Sequence, residues 1–255
     1  MSLIIVTGVM TGFGNNLREK IIGTTPHIMI EKETGISGFK AIYNQINGVE
    51  EVEGLSAYVQ GSVFLESASG QASGIFIRGI LPETESQVTK VDEYLTEGNL
   101  KDLKGDGVLI GSELARYFGY TIGDIITVIS PGSGIAGQGW RYKLMVTGIF
   151  NTGMADYDLN LVIVHLSKAQ DIFGLDKDIA TGIGVKLKDP YKAHEIKEAI
   201  YGIIGRGFLV KTWIDINRNL FEALFLEKWG LFIILTLMVL VASFNIISTL
   251  IVTVT

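Results

Sequence analysis

The chain has three histidines, His27, His165 and His194, and no cysteine. They stand far apart, without the short spacing by which one helix or turn brings two ligands to a zinc ion. "HEIKE" (194–198) opens like a zincin helix but lacks the second histidine. No thiol and no Gly-x-Ser-x-Gly elbow exist to build a nucleophile–histidine pair. "GMADYD" sets Asp156 and Asp158 two residues apart. On a strand such carboxylates share a face and could take a cation, but a solvated loop before "LNLVIVHL" is the simpler reading. "GSGIAG" (132–137) satisfies G-x-G-x-x-G after a strand-like run. A dinucleotide site also needs a helix directly afterwards, whose N-terminus meets the pyrophosphate. Here "QGWRYKLMVTGIF" comes next and alternates like a strand, so the glycines are read as a long hairpin loop. This loop carries Pro131, Trp140 and Arg141, and Trp and Arg are the side chains that most often anchor binding. Packing of Trp140 on its own domain is the alternative. With no Walker A loop, nucleotide hydrolysis by that route is excluded. No cofactor or metal is expected, and an enzyme reading lacks catalytic residues.

The 255 residues carry 21 basic and 27 acidic side chains, a net charge of −6. Nucleic acid is an unsuitable partner for that balance, because phosphate binding wants clustered Lys and Arg. Absence of cysteine suits an oxidising compartment in which no disulfide is wanted, and equally a cytosolic protein. Such a length buries one good core or two smaller ones. The apolar content is concentrated at the ends: Met1 to Phe13 has no charge, and none occurs after Lys228 as far as Thr255. About 20 apolar residues cross a bilayer's hydrocarbon core, and the C-terminal run is long enough. The N-terminal run is too short to span alone and lacks the basic region and cleavage site of a secretory signal. It reads as the last turns of a longer helix. The expectation is therefore a piece of a larger membrane protein, from the end of a first spanning helix into a second. Both ends of the folded region then lie on one side of the bilayer, and loop charges do not say which.

Around these residues the chain builds its supports in mirror order. Phe13, Leu17 and Ile21 fall at i, i+4, i+8, one stripe of a helix that Gly23 can end in a left-handed conformation. "DINRNLFEALFLEK" offers Asp215 or Asn219 as N-cap, with Glu222 completing a capping box. Leu220, Phe221, Leu224, Phe225 and Lys228 carry one face straight into the apolar run. Two amphipathic stalks are expected, over 1–23 and 215–255, each with its spanning helix. Within the second, Ala242, Asn245, Thr249 and Thr253 share a face, with Ser248 beside it. Small and polar residues on one face of a spanning helix mark contact with other helices rather than lipid.

Between the stalks, strand–helix–strand occurs twice. The first has "HIMIEK" (27–32), a helix over 38–47 capped by Ser37 and stopped by Gly48, and a hairpin of "SAYVQGSVFLES" with "GIFIRGI". The second has, in order, "GIGVKL" (182–187), an Asp189-Pro190 helix start, a stripe through Ala193, Ile196 and Ile200 stopped by Gly205, and "FLVKTW" (208–213). The two could form one α+β layer built from both ends of the chain. Residues 97–178 differ, with short strands in "GDGVLIG", "GDIITVIS", "YKLMVTGIF" and "NLVIVHL", and short helices capped by Ser112 and Ser167. They read as a β-rich insert.

Several long stretches resemble a known family. "GVMTGFGNNLREKIIGTTPHI", "RGILPE", "GVLIGSELARYFGYTIGDIITVISP", "VTGIFNTGMADYDLNLVIVHLSKAQDIFG" and "NLFEALFLEKWGLFIILTLMVLVASFNIISTL" resemble, in order, lipoprotein-releasing ABC transporter permeases of the LolC/LolE group. The resemblance implies an α+β, MacB-type periplasmic domain between the first and second spanning helices. It would comprise a split Porter-like part (24–96 and 179–214) and an inserted β-rich Sabre-like part (97–178). It implies a bacterial inner-membrane permease, paired with a LolD-type ATPase chain and a second permease subunit, which extracts acylated lipoproteins and hands them to a LolA-type periplasmic chaperone. The loop at Pro131, Gln138, Trp140 and Arg141 occupies the position of the family's chaperone-docking hook. It is shorter and glycine-rich and lacks the family's second proline. Phe13, Leu17, Ile21, Leu220, Leu224 and Phe225 would line the way in for acyl chains, or else pack the stalks on each other. Competing expectations are a MacB-like efflux or mechanotransmission permease, and a membrane-anchored regulatory module without transport.

Overall fold

In the computed structural model the described backbone covers residues 2–66, 70, 72–130 and 139–254, and the side chains of 2–7, 9–11, 13, 15 and 254 are left aside. The chain forms two units: Met1–Glu19 with Ile214–Thr255, and Lys20–Trp213.

The folded unit, Lys20–Trp213, is built on strands β1 (Ile28–Ser37), β2 (Val52–Glu66), β3 (Ala72–Ile80), β4 (Leu95–Gly98), β5 (Gly107–Gly111), β6 (Ile125–Ile129), β7 (Arg141–Phe150), β8 (Leu161–His165), β9 (Ile179–Leu187) and β10 (Leu209–Thr212). Among the described residues these make one sheet in the order β10-β1-β9-β2-β3-β8-β5-β7-β4, with β6 bridging β2 and β7. β3–β8 and β5–β7 are parallel pairs, and the others are antiparallel.

β2 is the shared beam. Val52–Tyr58 pairs with β9, whereas Val59–Glu66 pairs with β3, and Phe64–Glu66 also with β6. Its burial changes at the same place: Gly54–Val59 is buried throughout, and from Gln60 onward exposed and buried residues alternate. A strand covered on both faces reads as continuously apolar, while one with a wet face alternates. β1, β9 and β10 come from the two ends of the folded region, so one end of the sheet is assembled from both ends of the chain, as the sequence suggested. The helices α2 (Phe39–Ile46) and α7 (Ala193–Ile204) pack on each other there. Ile46, Ile196 and Ile200 point inward. Each fully buried Ile or Leu contributes about 1.5–3 kcal/mol through the hydrophobic effect. A second cluster, Ile80, Val91, Leu100, Leu103, Leu109, Phe150 and Ile163, forms the core at the β5–β7 end. Gly79 lets α6 (Leu166–Phe173) lie directly on β3, since a Cβ there would collide with Ala169.

Several local expectations give way. Ser37 ends β1, and Gly38, left-handed at φ 63, precedes α2 without a side-chain cap. Ser112 is the first residue of α4 (Ser112–Phe118), after an uncapped Gly111. α6 is capped by His165, whose Nδ1 accepts from Ser167 N at 3.3 Å. Gly23 lies inside α1 (Ser2–Thr24), not in a left-handed stop. That helix ends instead on Thr24 and Thr25, whose hydroxyls donate to the carbonyls of Lys20 and Ile21. Asp215 falls within α8 (Trp213–Ile216), and Asn219 within α9 (Arg218–Val254). Glu222 accepts from Arg218 at 2.7 Å rather than closing a capping box with Asn219.

Candidate functional site

The β6–β7 hairpin closes at its base where Ser130 N donates to Trp140 O at 2.9 Å, after the pair Ile129↔Arg141. Pro131, Gln138 and the run "GSGIAG" lie outside the described residues. The element directly after them is the strand β7, not a helix, so no helix N-terminus stands where a dinucleotide would need one. Trp140 is 64% exposed, so its ring stands in solvent at the foot of the loop. Arg141 is fixed beside it by a two-pronged contact with Glu66, Nε at 3.1 Å and Nη2 at 3.4 Å. Directly opposed residues of antiparallel strands share a face. Phe64 opposes Ile129, and Ile125 opposes Met145. Phe64, Ile125 and Met145 are exposed, so two apolar patches stand on the outer face of β2, β6 and β7, separated by the polar row Glu66, Thr127 and Lys143. These three residues escaped sequence reasoning. Their only signal was an alternation whose outward positions are apolar.

The terminal unit holds most of the stalk residues. Leu17, Leu220 and Leu224 are half-buried, and Phe225 is exposed. Arg18 lies over the Phe221 ring, 6.0 Å from its centroid, which brings α1 and the start of α9 together. Ile214, Arg218, Phe221, Glu222, Phe225 and Leu226 line a groove of about 480 Å³ on this unit. Ile21 separates from the other stalk residues, because it belongs to the folded unit and is only 3% exposed. Phe13's side chain lies outside the described set.

α9 runs for 37 residues, and the most apolar 18-residue stretch within Arg218–Thr253 has a mean hydropathy of 2.5 and is wholly exposed. By length and composition it can cross a membrane. Phe225, Trp229 and Phe232 form an edge-to-face ladder, with centroids 6.2 and 5.8 Å apart, next to Lys228, the last charged residue. Thr236, Ser243, Thr249 and Thr253 each donate to the carbonyl four residues back, at 2.7–2.8 Å. Their hydroxyls are thereby satisfied within the helix, as an apolar surrounding requires. Ala242, Asn245 and Thr249 stand on exposed positions of this helix.

The polar residues that looked chemical have structural duties. Asp156 and Asp158 lie on a helix, α5 (Ala155–Asn160), and not on a strand or loop, so their i, i+2 spacing turns them to different sides. Asp158 is 2% exposed and accepts from Thr152 N at 2.9 Å, Thr152 Oγ1 at 2.8 Å and Gly153 N at 3.2 Å. His27 is buried, and its Nδ1 accepts from Leu187 N at 3.0 Å. Burial, and then the neighbouring Lys186 charge, hold its pKa below the ordinary histidine value. Arg78 lies 4.1 Å over the Tyr58 ring and pairs with Glu85 at 3.5 Å. Burial pushes the Tyr58 phenol well above its usual pKa. No cluster of three or more metal-ligating side chains occurs among the described residues.

The two-ended sheet gives the fold, and kinship decides the family. Residues 1–202 match the sequence model of the MacB-like periplasmic core domain. The chain belongs to that family. Over its whole length it is 31% identical to the lipoprotein-releasing system transmembrane protein LolC of Neisseria meningitidis, across 261 aligned residues. It is 26% identical to the LolE protein of Haemophilus influenzae over 98% of the chain. These relatives place it with the LolC/LolE proteins. It spans 62% of the length of each. Among solved structures, the periplasmic region of MacB from Actinobacillus actinomycetemcomitans superimposes with a TM-score of 0.50 at 14% identity, covering 79% of this chain and 94% of that one. The shared feature is the fold, and the α+β class expected from the sequence is the one observed.

Proposed function

We propose that this chain is the periplasmic core, with its membrane-entering helices, of a permease subunit that releases lipoproteins from the bacterial inner membrane. The observation that carries the reading is an identity to LolC of 31% in an alignment that covers the whole chain. In this reading Lys20–Trp213 stands in the periplasm and α9 crosses the bilayer. ATP hydrolysis falls to a separate ATPase chain, a second permease subunit completes the transporter, and the permease's other spanning helices pack on the Ala242, Asn245 and Thr249 face. Removing an acyl chain from lipid costs about 0.8 kcal/mol per CH₂, so several chains require an outside energy source. The apolar stalk residues Phe13, Leu17, Leu220, Leu224 and Phe225 would shelter those chains. Ile21 leaves this set because it is buried in the folded unit.

Released lipoprotein would pass to a periplasmic chaperone at the loop holding Pro131, Gln138, Trp140 and Arg141. Exposed Trp140 next to a fixed guanidinium supports that role, since such residues dominate binding energy at interfaces. We further read residues 97–178 as the Sabre-like part, with 24–96 and 179–214 as the Porter-like part. The test is photo-crosslinking in the full-length permease with its ATPase. A photoreactive residue at Trp140 should capture the chaperone, and one at Leu17 or Phe225 an acylated lipoprotein. Failure to capture any acylated protein from the stalk positions would sink the lipoprotein reading. Failure at position 140 alone would remove the chaperone hand-off.

A further inference from the structure

Gly23 sits within the helical backbone of α1, where nothing in its conformation calls for glycine. Glycine inside a helix costs roughly 1 kcal/mol relative to alanine, so a tertiary reason is required. A Cβ on Gly23 would stand 2.5 Å from the Tyr94 hydroxyl and 3.1 Å from Lys90 Cδ. Lys90 N also donates to Gly23 O at 2.9 Å. The last turn of α1 thus rests closely on residues 90–94.

The segment from Pro82 to Tyr94 reaches both parts of the sheet. On one side, α3 (Pro82–Glu85) places Thr84 Oγ1 3.1 Å from Ser56 Oγ of β2. Next to it, the Gln87 carbonyl lies so close to Gly54 that an added Cβ would come within 2.7 Å. On the other side, Val91 belongs to the cluster with Leu103, Leu109 and Phe150. Tyr94 O accepts from Asn151 N at 2.8 Å, just beyond β7. Lys20, one turn before Thr24, reaches the same turn and donates from Nζ to Gly153 O at 3.2 Å. Close-packed, hydrogen-bonded contacts pass on a displacement because protein interiors yield little volume.

We propose that residues 82–94 are a bearing: they pass a displacement of the last turn of α1 to the Asn151–Gly153 turn at the end of β7. β9 meets the same segment through Val88 beside Gly184, whereas α7 packs on α2 and β10 and is not the first to respond. Neither an ATPase partner nor a lipoprotein substrate is needed for this inference to hold.

The test is amide hydrogen exchange on the whole chain in detergent, read on peptides covering 145–154 and, in α7, 194–204. Gly23→Ala should accelerate exchange in 145–154 by about fivefold or more while leaving 194–204 within twofold, fivefold being roughly 1 kcal/mol of local opening. Gly23→Ala combined with Tyr94→Phe should restore the wild-type rate. Removal of the hydroxyl leaves the nearest ring atom 3.7 Å from the added methyl, an ordinary contact. Lys20→Met, which loses only an exposed hydrogen bond, should fold normally and accelerate 145–154 more weakly. Equal acceleration of both peptides, no acceleration in either, or no rescue by Tyr94→Phe would each overturn the bearing. All three results leave the lipoprotein reading untouched, because no substrate enters the measurement.

Discussion

Arg78→Met should destabilise the folded unit more than any change at its partner Glu85, and the structure sets the size. Glu85 has 3% of its side chain exposed and Arg78 has 12%. The two meet at 3.5 Å, and Glu85 Oε1 has one further side-chain donor, Thr89 Oγ1 at 3.2 Å. Oε2 is buried with no partner. Removing one member of a buried pair costs about 3–5 kcal/mol, because an uncompensated charge stays inside. Arg78 also donates to Gln60 Oε1 at 3.1 Å and stacks on Tyr58, so the loss is not confined to the pair. For a unit of this size 1 kcal/mol shifts Tm by about 2–4 °C, so a fall of about 6–20 °C is expected. Glu85→Gln alone should cost less, since the amide oxygen still accepts and the guanidinium keeps its edge in water. Combined with Arg78→Met, Glu85→Gln should recover about 1–2 kcal/mol by deleting the stranded charge. The assay is urea or thermal unfolding in detergent, followed by the fluorescence of Trp213, which is 1% exposed. The expected order of stability is wild type, Glu85→Gln, the double variant, then Arg78→Met. A double variant less stable than Arg78→Met would refute the stranded-charge reasoning.

Two other buried polar groups give measurable outcomes. His27 has a lowered pKa in the folded chain, so below about pH 6.5 the unfolded state binds a proton that the folded state refuses. Stability should therefore fall as pH drops from about 7 to 5, and His27→Gln should flatten that part of a Tm-against-pH curve. A curve of unchanged slope would exclude His27 as a contributor. Asp158→Asn turns an amide N–H₂ toward donors from Thr152 and Gly153, and should cost about 1.5–3 kcal/mol. Asp156→Asn, on an exposed position, should leave the urea midpoint unchanged.

The interior decided what adjacent residues could not. The spacing of Asp156 and Asp158 read as a solvated loop or, on a strand, as a shared face, but α5 forms there, and Asp158 turns inward to hold the Thr152–Gly153 turn. Ser37, Ser112 and Ser167 were good local caps, yet Gly38, Gly111 and His165 took those positions because strand pairing runs up to them. A cap contributes about 1 kcal/mol, and a shift of one residue in strand register would move a whole buried face. Gly23 read as a helix stop, whereas its missing side chain makes room for Tyr94, a residue remote in sequence.

By itself the sequence determined the features that repeat along the chain. The alternating runs gave nearly all the strands, and the two-ended layer emerged from strand–helix–strand patterns at both ends. The uncharged stretch after Lys228 gave a helix able to cross a bilayer, because its length and apolarity need no partner to be read. Tertiary structure alone decided that β2 joins both parts of the sheet, that Ile21 is buried in the folded unit, and that Arg78 guards Glu85. Periodicity is a local property of the chain. Which buried group meets which is set by contacts between distant residues, and those exist only once the sheet has closed.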